Sequence, residues 1–433
     1  MEMNVHGPRL IVPVRKRSNR LAALTSILAA LPLAGAMAQP VTRVIHISVD
    51  GLRPDAVTAL GPSNAPNFYR LRAEGAFTDN ARADFDYTVT LPDHTCQLTS
   101  HPVLGPWGHN WVGNTDPAPG QTLGSNNGAY VAGVFDVVHD HGLRTGLYAG
   151  KSKFSLFVSS WDATNGAPDT TGADDGRDKI DVSLITSDTA ALVGAFLADA
   201  ASTPFDYVFL HLSDPDPTGH ANGWDITPGS AYSEAVRAMD GCLGMVLDLV
   251  GTNAAWSNST AIILTADHGG FGFTHVDPTL PEDYIIPFYV WGPGVAPGAG
   301  LYSLNPSNRH DPRRDRVPYS DFVQPIRNGE AANLSLQLLG LDPVPGSVIN
   351  RNQDLAVTHP SPRAFDLAAD GRDILVHFNT ATNALYDLEW TPDVAIGPWF
   401  QLSTNLPGTG GLLTNRDPGA ARVPQRFYRL RVH

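Results

Sequence analysis

Short apolar runs that end in an acidic residue alternate with longer amphipathic runs over the first three quarters of the chain. Three apolar runs each predict a buried strand: residues 41–50, 206–213 and 261–266. Three longer runs have the spacing of helices: residues 130–141, 185–200 and 232–250. Because strands alternate with helices, the pattern predicts an α/β fold with a mainly parallel central sheet and helices on both faces. In such sheets the functional site lies beyond the carboxyl ends of the strands, where the acidic residues fall.

The hydrophobic pattern changes near residues 343–352. Beyond them, short strand-like runs are separated by Asn, Gly and Pro turns: ILVHFNT, LYDLEWT, WFQLST, GLLTN and RFYRLRVH. This predicts a small C-terminal all-β sandwich, an accessory domain at residues 353–433, after an α/β domain at residues 41–345. The last run carries Phe427, Tyr428 and Leu430, which most simply complete the core of the sandwich. A contact with a surface or a glycan is the alternative.

The N-terminus has the pattern of a secretory signal peptide. A basic segment that ends at Arg20 precedes a short apolar core at residues 21–35, and Ala36 and Ala38 supply the small residues of a cleavage site. We expect removal of residues 1–38 and export to the periplasm or the extracellular space. An uncleaved anchor is the alternative, but the apolar core is shorter than the roughly 20 residues that a span needs. We therefore expect no stable membrane span.

The composition predicts a folded globular protein with an acidic surface. Hydrophobic residues make up 42% of the 433-residue chain and charged residues 17%, which excludes general disorder. Removal of residues 1–38 leaves 24 basic against 42 acidic residues, a net charge of about −18. Such a surface repels nucleic-acid polymers, so we expect none as a partner. Cys96 and Cys242 are either two buried thiols or one disulfide.

The stretch DYTVTLPDHT, residues 86–95, interrupts the alternation. A β-branched, strand-like run stops at Thr90, and a turn leads through Pro92 into a predicted helix. Asp93 and His94 are expected to support this turn. A helix cap is the simple interpretation of Thr90.

Six carboxylate and imidazole side chains occur at or after the ends of the predicted strands: Asp50, Asp216, His220, Asp267, His268 and His275. Each has an ordinary interpretation alone, as a cap, a polar loop residue or a solvated histidine. Together they form an oxygen and nitrogen ligand set, without thiolates, that suits Zn²⁺ or a similar divalent ion. Six ligands are too many for one tetrahedral zinc ion, so the set predicts two Zn²⁺ ions, with other divalent metals not excluded.

Four motifs in this order, VDGLRPD, TLPDHT, DPDPTGH and TADHGG, carry a family resemblance. Residues 42–345 resemble the alkaline phosphatase superfamily, in particular its type I phosphodiesterase / nucleotide pyrophosphatase branch. The resemblance implies an alkaline phosphatase-like catalytic domain. One departure from the family pattern is Asp93, where the family usually has Asn, and it adds a negative charge near the expected phosphate.

The resemblance also implies roles for the candidate residues. Thr90 matches the nucleophile, and Asn114 matches the asparagine that binds a non-bridging phosphate oxygen. One zinc ion is expected at Asp50, Asp267 and His268, with Thr90 as its reactive ligand. The other is expected at three further residues: Asp216, His220 and His275. His310 is the alternative to His275. Lys151 and Lys153 are either contacts for a substrate anion or solvated residues.

The expected function is that of a secreted, zinc-dependent hydrolase of phosphodiester or nucleotide pyrophosphate bonds. Metal coordination lowers the pKa of a threonine hydroxyl, so Thr90 would attack phosphorus, become phosphorylated and then be hydrolysed. The expected partner is a small phosphate-ester substrate, for which a nucleotide is one candidate. The alternatives are a phosphomonoesterase or phosphonate hydrolase with the same two-metal site, and a non-catalytic surface-binding protein.

Overall fold

The computed structural model describes residues 12–13, 41–172, 176–359, 362–380, 385–394, 397–409 and 412–432. The expected signal peptide, residues 1–38, lies outside the described residues apart from a two-residue strand, β1 (Val12–Pro13). None of the helices in the described part of the chain is both long and apolar enough to cross a membrane. The chain divides into a larger unit, Pro40–Ser303 with Asn308–Val357, and a smaller unit that includes Thr358–His433.

An eight-stranded sheet organises the larger unit. Its strands are β2 (Arg43–Val49), β3 (Ala76–Arg82), β4 (Thr145–Ala149), β5 (Val182–Ile185), β6 (Tyr207–Leu212), β7 (Thr260–Thr265), β8 (Ile285–Trp291) and β9 (Ala299–Gly300). The spatial order is β5-β4-β6-β2-β7-β8-β3-β9. Only β8 runs antiparallel to both of its neighbours, so the sheet is mainly parallel, as expected.

Helices cover both faces of the sheet centre. Every residue of β6 and β7 is buried, and successive side chains of a strand point to opposite faces, so both faces are shielded from water. The helices that begin before residue 200 are α1 (Pro54–Asn64), α2 (Pro66–Glu74), α3 (Thr90–Thr99), α4 (Leu123–Asn127), α5 (Val134–Asp140), α6 (Ser155–Ser160) and α7 (Thr189–Ser202). The later helices are α8 (Pro215–Asn222), α9 (Ala231–Thr252), α10 (Pro281–Tyr284), α11 (Leu301–Leu304) and α12 (Glu330–Leu339).

The register of the central strands places three acidic segments side by side. In the parallel ladder, Val49 of β2 pairs with Leu212 of β6, and Ser48 pairs with Thr265 of β7. The residues that follow these three strands therefore leave the sheet at the same edge. Asp50 and Asp267 lie in these segments, close to the end of the sheet.

Three predicted elements differ from the structure. Residues 86–89 form no strand, because the amide of Val89 donates to the Asp93 carboxylate (2.9 Å) instead of to a neighbouring strand. Helix α5 begins at Val134 rather than at residue 130, since the preceding Gly133 is extended. Residue 185 ends strand β5, and α7 begins only after Asp188, whose side chain caps it.

The smaller unit contains two antiparallel sheets. Its remaining strands are β10 (Pro362–Leu367), β11 (Ile374–Asn379), β12 (Leu385–Thr391), β13 (Phe400–Pro407), β14 (Leu412–Asp417) and β15 (Phe427–Val432). The orders are β1-β15-β12-β13 and β10-β11-β14, and side chains of both sheets share one apolar core. The predicted sandwich is confirmed, and Tyr428 and Leu430 belong to its core, although β10 was not predicted.

Candidate active site

Asp50 and Asp267 follow two adjacent central strands, and both are fully buried. Gly51 follows Asp50 with φ +69°, a conformation that glycine adopts without strain, and a Cβ there would lie 3.2 Å from Asp216 Cα. This turn brings the Gly51 amide to Asp267 Oδ1, to which it donates at 3.0 Å. Oδ1 of Asp267 is thus held by the main chain, and Oδ2 is left for another partner.

His268 completes a first ligand group with these two acids: Asp50, Asp267 and His268. Its Nε2 lies 3.1 Å from Asp267 Oδ2 and 3.6 Å from Asp50 Oδ1. The His268 side chain is fully buried. His268 therefore lies near both acids expected around the same metal, although Asp267 is in none of the groups of described residues whose ligand atoms all lie within 4.8 Å of one another.

A second ligand group comes from helix α8 and the turn after β7: Asp216, His220 and His275. Asp216 and His220 lie one helical turn apart, so their side chains share one face of α8. His220 Nε2 lies 3.4 Å and His275 Nε2 3.5 Å from Asp216 Oδ1. One ligand atom from each residue lies within 4.8 Å of the other two. The residues expected around the other metal are therefore also together.

The two groups are contiguous. The rings of His268 and His275 stack with centroids 3.6 Å apart. A ligand atom from each of Asp50, Asp216 and His268 also lies within 4.8 Å of the others, although these residues come from both groups. Two metals at these groups would be close neighbours, which is the arrangement that two-metal hydrolysis of phosphate esters requires.

All three histidines of the ligand groups have the same orientation. Each Nδ1 donates to a main-chain carbonyl: His268 to Gly269 (2.9 Å), His275 to Thr88 (2.6 Å) and His220 to Phe273 (3.0 Å). In a neutral ring this leaves the lone pair on Nε2, which points toward the carboxylates. A main-chain partner on the far nitrogen is the usual way in which proteins orient a metal-binding histidine.

Several ligand atoms have no hydrogen-bond partner even though they are buried. Among the described residues these include Asp50 Oδ1, Asp216 Oδ1, Asp267 Oδ2 and His268 Nε2. Buried polar atoms without hydrogen-bond partners are costly, and a bound divalent ion would supply a partner for these four. Three carboxylates are also concentrated here: those of Asp50, Asp216 and Asp267. The residues present therefore fit divalent metal ions.

Thr90 is the first residue of helix α3 and is nearly fully buried. His94, one turn later, donates from Nδ1 to the Thr90 carbonyl (2.7 Å) and accepts at Nε2 from Ser48 Oγ (2.8 Å). Lys151 Nζ donates to Thr90 Oγ1 (3.3 Å). The hydroxyl is thus placed at a helix N-terminus beside a cation, where negative charge on its oxygen is favoured.

Lys151 connects Thr90 with both ligand groups. Its Nζ lies 2.6 Å from Asp50 Oδ2 and 2.6 Å from Asp216 Oδ2. Burial lowers the pKa of Lys151, but Asp50 and Asp216 outweigh this effect and raise it above its usual value. Burial likewise opposes ionisation of Asp50, yet Lys151 and His211 hold the pKa of Asp50 well below its usual range. Lys151 is therefore a partly buried ammonium that is paired with two carboxylates.

Asn114 lies over the first turn of α3. Its Oδ1 accepts from the Leu91 amide (3.1 Å) and from Lys153 Nζ (3.1 Å). With Oδ1 held in this way, Nδ2 is the part of the amide that is left to donate to a substrate oxygen. Burial and the neighbouring Lys151 lower the pKa of Lys153. Asn114 and the two lysines thus surround the position of Thr90.

Asp93 fixes the loop before α3. Its carboxylate accepts from the amides of Asp84 (2.8 Å) and Val89 (2.9 Å) and from Asn328 Nδ2 (2.9 Å). Burial and the nearby Asp84 carboxylate raise the pKa of Asp93 well above its usual range. The expectation that Asp93 supports the turn is met. The negative charge expected near the phosphate stays a prediction, although burial disfavours the ionised form of Asp93 and so raises its pKa.

Several supporting residues were not found from the sequence. Asn328 links Asp93 to the Asp267 carbonyl (3.2 Å), and His211 donates to Asp50 Oδ2 (2.9 Å). Trp224 packs behind His220, with ring centroids 5.0 Å apart. His211 could have been noticed as a histidine inside the otherwise apolar run 207–212. The other contacts join residues that are far apart in the sequence, and such contacts leave no periodic pattern.

The structure bears on three alternatives that the sequence left open. His310 is exposed and belongs to none of the candidate ligand groups of the described residues. Cys96 and Cys242 are separate buried thiols. Lys151 faces the site rather than solvent.

Comparison with known proteins agrees with this geometry. A family model described as type I phosphodiesterase / nucleotide pyrophosphatase matches residues 44–337. GPI ethanolamine phosphate transferase 1 of Emericella nidulans is 26% identical over 374 residues, which cover 78% of this chain and 36% of that protein. The chain thus spans about a third of that relative's length.

Two solved structures are among the matches, both at low sequence identity. Murine ectonucleotide pyrophosphatase / phosphodiesterase 5 matches with a TM-score of 0.48 and 16% identity, over 72% of this chain and 99% of that chain. A 2-O GAG sulfatase matches with a TM-score of 0.48 and 13% identity, over 78% of this chain and 83% of that chain.

Proposed function

Because the chain belongs to the type I phosphodiesterase / nucleotide pyrophosphatase family, we propose that it hydrolyses phosphodiester or nucleotide pyrophosphate bonds with two zinc ions and a phosphothreonine intermediate at Thr90. One observation carries this proposal. The two contiguous ligand groups, buried apart from His220, contain atoms that have no hydrogen-bond partner among the described residues. Lys151 links an acid of each group to the hydroxyl of Thr90. A metal-dependent nucleophilic displacement at phosphorus needs this combination of groups.

The residues of this chain have distinct parts in the reaction. Bound divalent ions supply Lewis-acid stabilisation of the attacking and leaving oxygens. Lys151 and the N-terminus of α3 favour the ionised hydroxyl of Thr90, and Asn114 orients a non-bridging oxygen through Nδ2. A bond forms between Thr90 Oγ1 and phosphorus as the bond to the leaving oxygen breaks. Water then attacks phosphorus, the bond to Thr90 Oγ1 breaks, and Oγ1 regains a proton. The product is a phosphate monoester from a diester substrate, or inorganic phosphate from a monoester.

A phosphomonoesterase is the second candidate, because of two lysines. Lys151 Nζ lies 3.3 Å from Thr90 Oγ1, and Lys153 Nζ lies 3.1 Å from Asn114 Oδ1, so two cations flank the expected position of the phosphoryl group. A monoester dianion carries one more negative charge than a diester and gains more from these cations. The lysines therefore support the monoester alternative, whereas the family supports the diester.

Transfer to an acceptor alcohol is a variant of the same chemistry. The curated relative is named as a transferase of ethanolamine phosphate, and the chain covers only part of it. Attack on phosphothreonine by a hydroxyl other than that of water would give transfer instead of hydrolysis. The ratio of alcoholysis to hydrolysis products, measured with glycerol or ethanolamine present, separates the two outcomes.

The decisive experiment compares two substrates of the zinc-loaded protein. We expect kcat/KM for an aryl phosphodiester to exceed that for the matching aryl phosphomonoester. A ratio well below one would replace the diesterase proposal by the monoesterase. Absence of turnover of both esters, together with absence of bound metal, would favour the non-catalytic alternative.

Export is part of the proposal and depends on residues 1–38 alone. Their basic segment, apolar core and small residues support cleavage after Ala38. Expression of the full chain in a bacterial host, followed by N-terminal sequencing of the periplasmic and medium fractions, tests this. Recovery of uncleaved protein in the cytoplasm or the membrane would contradict it.

A further inference from the structure

His211 is a buried histidine that the proposed reaction does not use directly. It lies in strand β6, one residue before the strand ends, and is fully buried. Its ring stacks on Phe154 with centroids 4.2 Å apart and meets the His94 ring edge-on at 4.7 Å. The ring therefore has a single orientation, set by packing on two sides.

Hydrogen bonds also determine which ring nitrogen carries the proton. The main-chain amide of Gly150 donates to His211 Nδ1 (3.1 Å), so Nδ1 has the lone pair. In the neutral ring Nε2 then has the proton, which it donates to Asp50 Oδ2 (2.9 Å). Both nitrogens are occupied by protein partners. His211 is therefore excluded as a metal ligand, although its ring lies within reach of Asp50 and His94.

This contact divides the two oxygens of Asp50 between different tasks. Oδ2 accepts from His211 Nε2 and lies 2.6 Å from Lys151 Nζ, whereas Oδ1 is buried and has no hydrogen-bond partner among the residues that the structure describes. Without the His211 contact, the carboxylate would lose one of the two groups that hold Oδ2 away from the metal position. His211 thus leaves Oδ1 as the oxygen that faces the metal.

The same ring also connects to the segment that bears Lys151. Gly150, which donates to Nδ1, directly precedes Lys151 at the end of strand β4. A Cβ on Gly150 would lie 2.4 Å from Ser213 Oγ, so the main chain of this segment lies tightly against the end of β6. The His211 imidazole therefore fixes Asp50 and the main chain next to Lys151 relative to each other.

We propose that His211 is a positioning residue that keeps Asp50 a one-oxygen metal ligand and holds the Lys151 segment against it. The inference rests on the proposed function, since it concerns how that metal site is held. Partners of metal-binding side chains typically contribute 10- to 100-fold to metal affinity or activity. His211 acts through Asp50 and Gly150 and does not touch the reacting atoms.

The test compares three variants of the full chain with the wild type. His211→Gln retains a donor that reaches toward Asp50, His211→Asn is one methylene shorter, and His211→Leu has neither polar contact. The matched control is His46→Leu, because His46 is an equally buried histidine of neighbouring strand β2 that bonds Tyr207 (2.9 Å) and Gln97 (3.2 Å). Zinc affinity by chelator competition, melting temperature of the metal-free protein, and kcat and KM are measured for each.

We expect His211→Leu and His211→Asn to lose roughly 10- to 100-fold in zinc affinity and in kcat, with His211→Gln closer to the wild type. His46→Leu should lower the melting temperature without changing zinc affinity. Equal zinc affinity of the Asn and Gln variants and the wild type overturns the inference, even where His211→Leu fails to fold. A wild-type protein that binds no divalent metal overturns the proposed function, and this inference with it.

Discussion

The two ligand groups differ in how they are built and in their access to solvent. Asp50, Asp267 and His268 are fully buried and follow the ends of adjacent central strands. In the second group the His220 side chain is 44% exposed, and the group is held by helix α8 and a turn. In the proposed reaction this difference predicts separate tasks: we expect the buried group to support Thr90, and the open group to face the side from which a leaving group departs into water.

The largest effect is expected at the nucleophile on the buried side. Thr90→Ala removes the attacking oxygen, so kcat should fall by about 10⁴-fold or more. Metal content should stay near that of the wild type, because the six ligands are unchanged. Steady-state kinetics and metal analysis of the same preparation check both statements.

Thr90→Ser is the matched control for this variant, since it keeps the hydroxyl at the start of α3. We expect it to retain activity within about tenfold of the wild type. Unchanged activity of Thr90→Ala would remove Thr90 from the mechanism. A simultaneous loss of metal would instead show that the hydroxyl is mainly a structural ligand.

The same substitution in each ligand group tests their difference directly. His268→Gln leaves a buried carboxylate pair without its imidazole and should lower kcat/KM by roughly 10³-fold, with loss of one metal. His220→Gln is open to water, which replaces the lost ligand, so we expect a loss of roughly 10- to 100-fold. Equal losses would mean that exposure does not distinguish the groups. Melting temperatures of the metal-free variants serve as the folding control.

The residues of the buried ligand group could be predicted from the sequence, whereas the residues that hold them in place could not. Strands β2, β6 and β7 were predicted because their apolar runs are short and end in acidic residues, and a parallel register then brings those ends together. The pairing of Asp93 with Asn328 joins residues 235 positions apart, and no local pattern encodes it. The loop at residues 86–89 has strand-like composition, but carboxylates take amides that a strand would have used: Asp86 and Tyr87 donate to Asp84, and Val89 donates to Asp93.

Lys151 lies between the two ligand groups, so its replacement should lower kcat/KM more for a substrate with greater negative charge. We expect Lys151→Met to reduce kcat/KM roughly 10- to 100-fold, more for an aryl phosphomonoester than for the diester, because the monoester has the greater charge. Lys153→Met is the matched comparison, with its contact to Asn114 instead of the carboxylates. Equal effects on both esters would show that Lys151 only neutralises Asp50 and Asp216.

The groups also differ in the protons that a metal must displace. Burial lowers the pKa of His268, but Asp267 and Asp50 outweigh it and raise that pKa to about 10, whereas burial and His268 lower the pKa of His275 to about 2. Between pH 7 and 9 a metal that enters the first group therefore displaces a proton from His268, and its affinity should rise about tenfold per pH unit. The second group has no such proton on His275.

Calorimetric titration of the metal-free protein, in buffers of different ionisation enthalpy, measures the protons released in each binding step. One pH-dependent and one pH-independent step are expected. Two steps with the same pH dependence would show that the first group is not distinguished by a protonated His268.

The smallest effect is expected at the open edge, where the turn after β7 exposes two aromatic rings. Phe271 and Phe273 are 56% and 65% exposed, and the turn is fixed beneath them because His220 bonds the Phe273 carbonyl and Trp224 bonds the Gly272 carbonyl. Exposed apolar side chains beside a site favour contact with an apolar leaving group. Phe271→Ser and Phe273→Ser keep these main-chain bonds, so each should lower kcat/KM for an aryl phosphodiester about three- to tenfold and leave a methyl ester unchanged. Equal losses for both esters would mean that the turn acts through His220 and not through its rings.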